Sequence, residues 1–496
     1  DFYPVGGGES AHIAFDPDNP RLIYATSINS TLTEYDADNE RIREIKPYPE
    51  FIFGMESKDL RYRTNWNAPV TASPQDPSVI YYGTEKLLKT TDRGVTFEQI
   101  SPDLTKNEKD KQGLNGGPIT AENVGAEFYG TILTITASPH EYGTIWVGSD
   151  DGLIHVTRND GESWDEVTPQ DLRGAMINSI EVSPHDPGTA YVAVAGYKMN
   201  DFRPYIYKLT DFGRQSRRID RGLPDDNFIR VVREDPERQG LLFAGSEVSL
   251  YVSFDDGDNW QSLALNLPPV PITDLAIRQN DLVVSTQGRA LWVLDDLSAL
   301  RQVQNDMISK PLHVFTPGPV EMIKGSNPSE PSKTKGTNPL RGVVFNYHIR
   351  DEQEDPLTIE ITDNNGNHVR TYSSEESDFE RCIIANIDQR LPFKVKYPPK
   401  EQGANKWVWD MRRHGLHCID DIKLFEGFAG AYVMPGTYQA RISIGGAEDT
   451  VTLTLITDRR ITADGHAIAE VEQKVFEITA LMNELLDSLT SIRKSR

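Results

Sequence analysis

The sequence predicts an all-β chain: a β-propeller of four-stranded blades, followed by an immunoglobulin-like β-sandwich and a terminal amphipathic helix. Three observations predict it. An eight-residue turn recurs, a proline-rich turn recurs out of phase with it, and the apolar period changes from two to 3.6 near the C-terminus.

The first repeat has the form Ser/Thr-x-Asp-x-Gly-x-x-aromatic. It occurs at Ser253–Trp260 with Asp255 and Gly257, and at Thr90–Phe97 with Asp92 and Gly94. It returns at Thr157–Trp164 with Asn159 in the Asp position and Gly161 intact, and in a worn copy with Asp211 and Gly213 that has Ser216 in place of the aromatic. A short Asp side chain bonds the amides of its own turn, and Gly supplies a positive φ at little cost. The aromatic residue, Trp260 in the best copy, is expected to tuck under the hairpin. These turns are therefore read as structural marks, one per sheet.

The second repeat, Ser-Pro-x-Asp-Pro-x-x-apolar-Tyr in its fullest form, is anchored by Pro17, Pro74, Pro139, Pro184 and Pro236, at intervals of 57, 65, 45 and 52 residues. Each interval holds about four short alternating runs, the signature of propeller blades. In the third blade the runs are Thr131–Ala137, Thr144–Gly148, Leu153–Thr157 and Trp164–Val167. A last unit, Ile272–Leu300, has strands and neither turn. About six blades are expected in residues 1–300, with upstream sequence as a source of any further blade.

Residues 301–340 read as a linker, with Pro317-Gly318-Pro319 and the polar run Lys324–Pro339. Alternating runs and the hairpin turn Asp363-Asn364-Asn365-Gly366 predict a sandwich over 341–457. In 458–496, Ile468, Val471, Val475, Ile478, Leu481, Met482, Leu485 and Leu489 form one helical stripe. Packing on its own chain or on a partner is the expected role, ahead of a coiled coil, because the heptads are few.

Composition sets limits. With 51 Lys and Arg against 75 Asp and Glu, the 496-residue chain has a formal charge of −24, which disfavours nucleic-acid backbones and anionic membranes. No apolar run is long enough to cross a bilayer. The two cysteines, Cys382 and Cys418, cannot build a cysteine zinc site, and the ten histidines show no HExxH spacing. A bridge between the two cysteines is left open by sequence. No signal peptide is present; the chain opens in a loop, Asp1–Ser10, without Met, so a preceding segment is expected. Gly6-Gly7-Gly8 and Gly116-Gly117 precede no Lys-Ser/Thr and are not phosphate loops.

Propeller connectivity places the second-to-third and fourth-to-first strand loops on one face, opposite the Asp/Gly turns. That face offers Arg61, Trp66, Asp151, Tyr197, Arg203 and Arg289 as binding residues for a protein, peptide or glycan. If the chain hydrolyses glycosides, a pair of carboxylates is required, and Asp150, Glu247 and Glu127 are the candidates. No cofactor is expected. Asp/Asn-rich turns at 150–151, 225–227, 255–258 and 363–365 lack EF-hand spacing, leaving Ca²⁺ as a minor expectation.

The two repeats together resemble the Asp-box (BNR-repeat) propellers, a group with sialidases, tandem-propeller xyloglucanases and the sortilin luminal domain. Segments Trp146–Thr157, Arg230–Pro236 and Gly288–Asp296 look like those of exported bacterial proteins labelled glycosyl hydrolase or sortilin-like. The resemblance implies an extracellular or periplasmic protein. Such proteins usually carry a second propeller upstream, so a partner propeller or larger assembly is implied too. No Arg-Ile-Pro element is found near a first strand, which departs from sialidases. Asp363-x-x-Gly366, Gly403–Asp410 and Pro435–Tyr438 resemble the immunoglobulin-like module of flagellar hook-capping proteins. Ligand binding is the leading expectation, with glycoside hydrolysis and a structural subunit as alternatives.

Overall fold

The computed structural model describes residues 4–9, 12–115, 123, 125, 128–172, 174–304, 306–323, 336, 338–339, 341–377, 382, 397–419, 422, 428–462 and 465–495. The chain divides into two compact units, Asp1–Leu294 and Asp295–Arg496.

The first unit is six antiparallel sheets in chain order. Blade 1 is β1 (Ile13–Phe15), β2 (Leu22–Ser27), β3 (Thr31–Asp36) and β4 (Arg41–Glu44). Blade 2 is β5 (Val70–Ala72), β6 (Ile80–Gly83), β7 (Leu87–Thr90) and β8 (Glu98–Gln99). Blade 3 is β9 (Ile132–Ala137), β10 (Ile145–Ser149), β11 (Ile154–Thr157) and β12 (Asp165–Glu166). Blade 4 is β13 (Met176–Val182), β14 (Ala190–Ala195), β15 (Tyr205–Thr210) and β16 (Gln215–Arg218). Blade 5 is β17 (Ile229–Glu234), β18 (Leu242–Ser246), β19 (Leu250–Ser253) and β20 (Gln261–Ser262). Blade 6 has three strands, β21 (Ile272–Arg278), β22 (Asp281–Thr286) and β23 (Leu291–Leu294).

Burial explains the composition of each strand. The second strands of blades 2 to 5 are buried at every position, because a neighbouring blade covers both faces. They read accordingly as continuous runs such as Ala190-Tyr-Val-Ala-Val-Ala195. The short fourth strands Glu98–Gln99, Asp165–Glu166 and Gln261–Ser262 are exposed and polar. The buried clusters lie between blades: Ile145 and Val147 of blade 3 pack with Tyr81 and Leu87 of blade 2. Tyr191 and Ala193 of blade 4 pack with Leu242 and Ala244 of blade 5. At the ends of the series the free flanks are not covered in this way: Ile13, Phe15 and Ile42 of blade 1 and Leu291 and Val293 of blade 6 are exposed.

The first strands of all six blades line one channel of about 1200 Å³. Its lining includes His12, Glu181, Arg233 and Asp274.

The second unit starts with a short helix, α1 (Ser298–Gln302). Two sheets follow. One holds β24 (Leu312–Val314), β26 (Val343–Ile349) and β29 (Gly403–Trp409). The other holds β25 (Val320–Met322), β27 (Thr358–Asp363), β28 (His368–Ser373), β30 (Gly436–Ile444) and β31 (Ala447–Thr457). Both sheets contribute to one buried core, with Phe345, Trp409 and Tyr347 from the first and Ile359, Ile442 and Leu453 from the second. The stretch 301–340 is therefore not simply a linker. Its residues 312–314 pair with β26 and its residues 320–322 pair in parallel with β31. Each pairing run is only three residues long, too short to stand out from the flanking Pro and Gly. The polar run 324–335 lies outside the described residues. Cys382 and Cys418 are joined, with Cα atoms 6.0 Å apart. The chain continues into a 30-residue helix, α2 (Gly465–Lys494).

Candidate functional site

Backbone bonds define the two faces of the propeller. Asp160 N donates to Gly143 O, and Asp256 N to Gly240 O, so the third-to-fourth strand turns lie beside the first-to-second turns. At the other end Asp150 N donates to Thr131 O and Glu247 N to Phe228 O. The second-to-third loops thus share a face with the segments that enter each blade.

On the first face the Asp/Gly turns are satisfied within themselves. Asp92 Oδ1 accepts from Thr90 Oγ1 and Thr96 N, both at 2.9 Å, and Oδ2 from Thr96 Oγ1 at 2.6 Å. Asp255 repeats this with Ser253, Asn259 N and Asn259 Nδ2. Asn159 Oδ1 accepts likewise from Thr157 Oγ1 and Ser163 N, while its Nδ2 donates to Ser163 Oγ. The Thr96 hydroxyl and amide pull the Asp92 carboxyl down to about 2. For Asp255, burial pushes upward, but the Asn259 and Ser253 donors prevail and lower it.

The tryptophans of two turns and the glycines of all four act on the preceding blade, rather than under their own hairpin. Trp164 Nε1 donates to Ile100 O at 2.9 Å and Trp260 Nε1 to Ile219 O at 2.6 Å. A Cβ on Gly161 would lie 2.2 Å from Ile100 O, and one on Gly257 2.5 Å from Ile219 Cδ1. Gly94 meets Ile45 and Gly213 meets Val167 in the same way. The intervening residues reinforce the clasp: Arg93 pairs with Glu34, Asp160 with Lys89, and Asp256 with Lys208. Glycine is needed here for close approach as well as for φ.

On the opposite face the described candidate carboxylates are each bound to neighbouring groups. Asp150 is 7% exposed, and its oxygens accept from Gly130 N, Thr131 N and Thr131 Oγ1 at 2.8–3.0 Å and from Asn65 Nδ2 at 3.4 Å. Burial pushes its carboxyl up to about 6 against those donors. Asp151 is buried, also raised by burial, and accepts from Ser149 Oγ and Lys106 N. Glu247 is half-buried and paired with Arg230 at 2.6 Å. Asp150 and Glu247 belong to different blades and each has its own partners, so neither offers a free carboxylate of the pair expected from sequence. Glu127 lies outside the described residues.

The expected binding residues separate into groups. Arg61 is exposed, its guanidinium 5.0 Å from the Tyr48 ring and 5.6 Å from that of Tyr62. Trp66 is half-buried in the same long connection between blades 1 and 2. Tyr197 stacks on Phe228 at 4.9 Å, and Arg230 covers the same Phe228 ring. Arg203 is tied to Asp201 at 2.7 Å. Arg289 is exposed on blade 6.

Two features escaped the sequence reading. The connection 45–69 exposes Tyr48, Phe51 and Phe53, with the two Phe rings edge-to-face at 4.8 Å. A shallow hollow beside them, lined by Lys46, Tyr48, Glu50 and Tyr62, has room for about one water. The signal was the dense aromatic run Pro47-Tyr-Pro-Glu-Phe-Ile-Phe53 in a loop. The second is in the channel, where Arg233 reaches Asp274 at 2.7 Å and Glu181 at 3.6 Å. Burial pushes the Glu181 carboxyl up to about 7, with Arg233 opposing. Both acids are on first strands, where an isolated sequence gives no sign of facing a channel.

Among the described residues, no group of three or more His, Cys, Asp or Glu is placed to hold a metal ion, and no helix is long and apolar enough to cross a membrane. Asp255 and Asp363 spend their oxygens on their own turns.

No protein-family model matches the chain. A curated relative, the oligoxyloglucan-reducing end-specific xyloglucanase of Emericella nidulans, is 27% identical over 209 residues, 39% of this chain and 23% of the relative. The chain thus spans about a quarter of the length of the curated relative it matches. Among solved structures, a GH74 xyloglucanase from Xanthomonas campestris aligns with TM-score 0.42 and 17% identity over 57% of this chain and 44% of its own. YCF48 bound to D1 peptide aligns with TM-score 0.39 and 14% identity over 58% and 78%. PorZ of Porphyromonas gingivalis aligns with TM-score 0.37 and 12% identity over 90% and 59%. The fold of the first unit is a β-propeller.

Proposed function

We propose that the chain is an exported Asp-box propeller that binds a protein or peptide on the face opposite its Asp/Gly turns. One observation carries this reading. That face exposes Tyr48, Phe51, Phe53 and Arg61 in one connection, with Tyr48 lining a shallow hollow, while its best-placed acids, Asp150, Asp151 and Glu247, are committed to neighbouring partners. Exposed aromatics with an Arg are typical anchors for a protein surface, whereas a glycosidase needs two accessible carboxylates. The joined cysteines support an oxidising compartment. The exposed flanks of blades 1 and 6 support a further propeller segment or assembly partner beside them. No cofactor is part of this reading, and Ca²⁺ has no assigned place in it.

A second reading, glycoside hydrolysis, is favoured by the channel, where Glu181 has a raised pKa suited to a general acid and Asp274 is its carboxylate neighbour across Arg233.

The test has two arms. A displayed peptide library panned on wild type should yield binders that Phe51→Ala/Arg61→Ala no longer retains. Equal retention by the variant removes the patch from consideration. Xyloglucan oligosaccharides incubated with wild type should release no reducing ends. Turnover that Glu181→Gln abolishes would overturn the binding reading in favour of the second.

A further inference from the structure

The helix α2 carries more apolar surface than its own unit covers. Ile468, Val475, Met482 and Leu489 are spaced by seven, and so are Val471, Ile478, Leu485 and Ile492. The second set follows the first by three residues, so the eight occupy the a and d positions of four consecutive heptads. The four d residues are 52–61% exposed, Met482 and Leu489 at a are exposed, and Ile468 and Val475 at a are half-buried. Leu481, at a g position beside the seam, is 65% exposed.

The helix docks on its own unit by a different side. Leu486 is buried with Leu416 and Phe428, Asn483 accepts from His417 N at 2.8 Å, and Arg413 pairs with Glu472 and covers Phe476. These are e and b positions, roughly 70–130° around the helix from the a/d seam at about 100° per residue. A surface helix needs only the docking side. A 3.5-residue repeat held through four heptads is specific to a second helix.

We propose that this seam pairs with the same helix of a second copy, in parallel. Self-pairing meets no charge conflict. Leu486 at e stays buried in its own unit, and the other g and e′ positions, Ala467 with Glu472, Lys474 with Thr479 and Ser488 with Arg493, set no like charges together. The direction follows from the docking side. In an antiparallel pair both e edges lie on one side, and Arg413, Leu416 and His417 of both copies would occupy the same height there. A parallel pair places them on opposite sides. Covering the seam on both helices removes on the order of 1,200 Å² from water, the lower edge of the range for stable interfaces. The pairing is therefore sought at micromolar protein concentrations. Because each copy has a formal charge of −24, added salt tightens it.

Sedimentation velocity of the full chain over about 1–100 µM should show a monomer passing to a dimer. Ile478→Glu/Leu485→Glu should stay monomeric with an unchanged circular dichroism spectrum, since both side chains are already exposed, while Glu484→Gln at a c position should dimerise like wild type. A wild type that is monomeric throughout, or a double variant that dimerises as well as wild type, overturns the proposal. The native cysteines are paired with each other, so Met482→Cys adds the one free thiol among the described residues. It should cross-link the dimer through its a–a′ layer. An intact dimer without that cross-link overturns the parallel direction.

Discussion

Two sets of acidic side chains lie on opposite faces of the propeller and meet opposite fates. Asp92 and Asp255, in the repeated turns, are reached by solvent, surrounded by donors and held as carboxylates. Asp150 and Asp151, in the loop of blade 3, are buried and raised. Both sets accept hydrogen bonds from nearby backbone and hydroxyl groups, so bonding alone does not separate them. Burial does. At the turn face the donors outweigh the cost of desolvation, and at the loop face they do not. An acidic residue on the face expected to hold a ligand is thus no guide to reactivity until its cover is known.

The largest loss is expected at the turn face, from a glycine. In Gly161→Ala the new Cβ meets the Ile100 carbonyl at 2.2 Å, at φ +92°. A loss of about 3 kcal/mol is expected in denaturant unfolding, since strain and overpacking add. Gly54→Ala has a similar φ of +75° and open space around it, and should lose about 1 kcal/mol. Equal losses would show that backbone conformation, not contact with the preceding blade, is what these glycines supply.

A smaller effect is expected at the loop face. Asp150→Ala strands the amides of Gly130 and Thr131 and should cost about 2–3 kcal/mol. A variant as stable as wild type but deficient in ligand handling would return Asp150 to a functional role.

The smallest effect separates charge from geometry. Because the Asp92 pKa falls on folding to about 2, from an unperturbed 3.8, its contribution is present above about pH 4 and is lost as pH falls through about 2. Asp92→Asn should remain folded at neutral pH, because Asn159 already makes the same turn. Its acid unfolding limb should be shallower between about pH 4 and 2. An unchanged limb would mean that the charge of Asp92 is immaterial to stability.

Much of the fold was legible because its repeats are local. A Ser or Thr two residues before an Asp, and a Gly two after it, close a turn through bonds that span at most four residues. Such a turn looks the same in any blade. The partner of Trp260 was not legible, because Ile219 O is 41 residues away and belongs to another blade. The same distance problem hid the strands at 312–314 and 320–322, which pair with residues about 35 and 135 positions further along.

The candidate site was legible only as a face. Connectivity alone puts the second-to-third loops opposite the Asp/Gly turns, so Asp150, Glu247, Tyr197 and Arg61 were sought at one end of the blades. Which of them is free to act depends on what covers them. Arg230 neutralises Glu247, and Thr131 with Gly130 encloses Asp150. The exposed Phe51 and Phe53 were passed over because sequence patterning treats apolar residues as core.

Residue spacing within single elements specified the blades, their turns, the sandwich and the apolar stripe of the last helix. Only the tertiary structure decided which acids are buried, which blade each tryptophan clamps, and which side of the helix is left bare. Those outcomes depend on which segments distant in the chain exclude water from one another, and spacing along the chain does not carry that information.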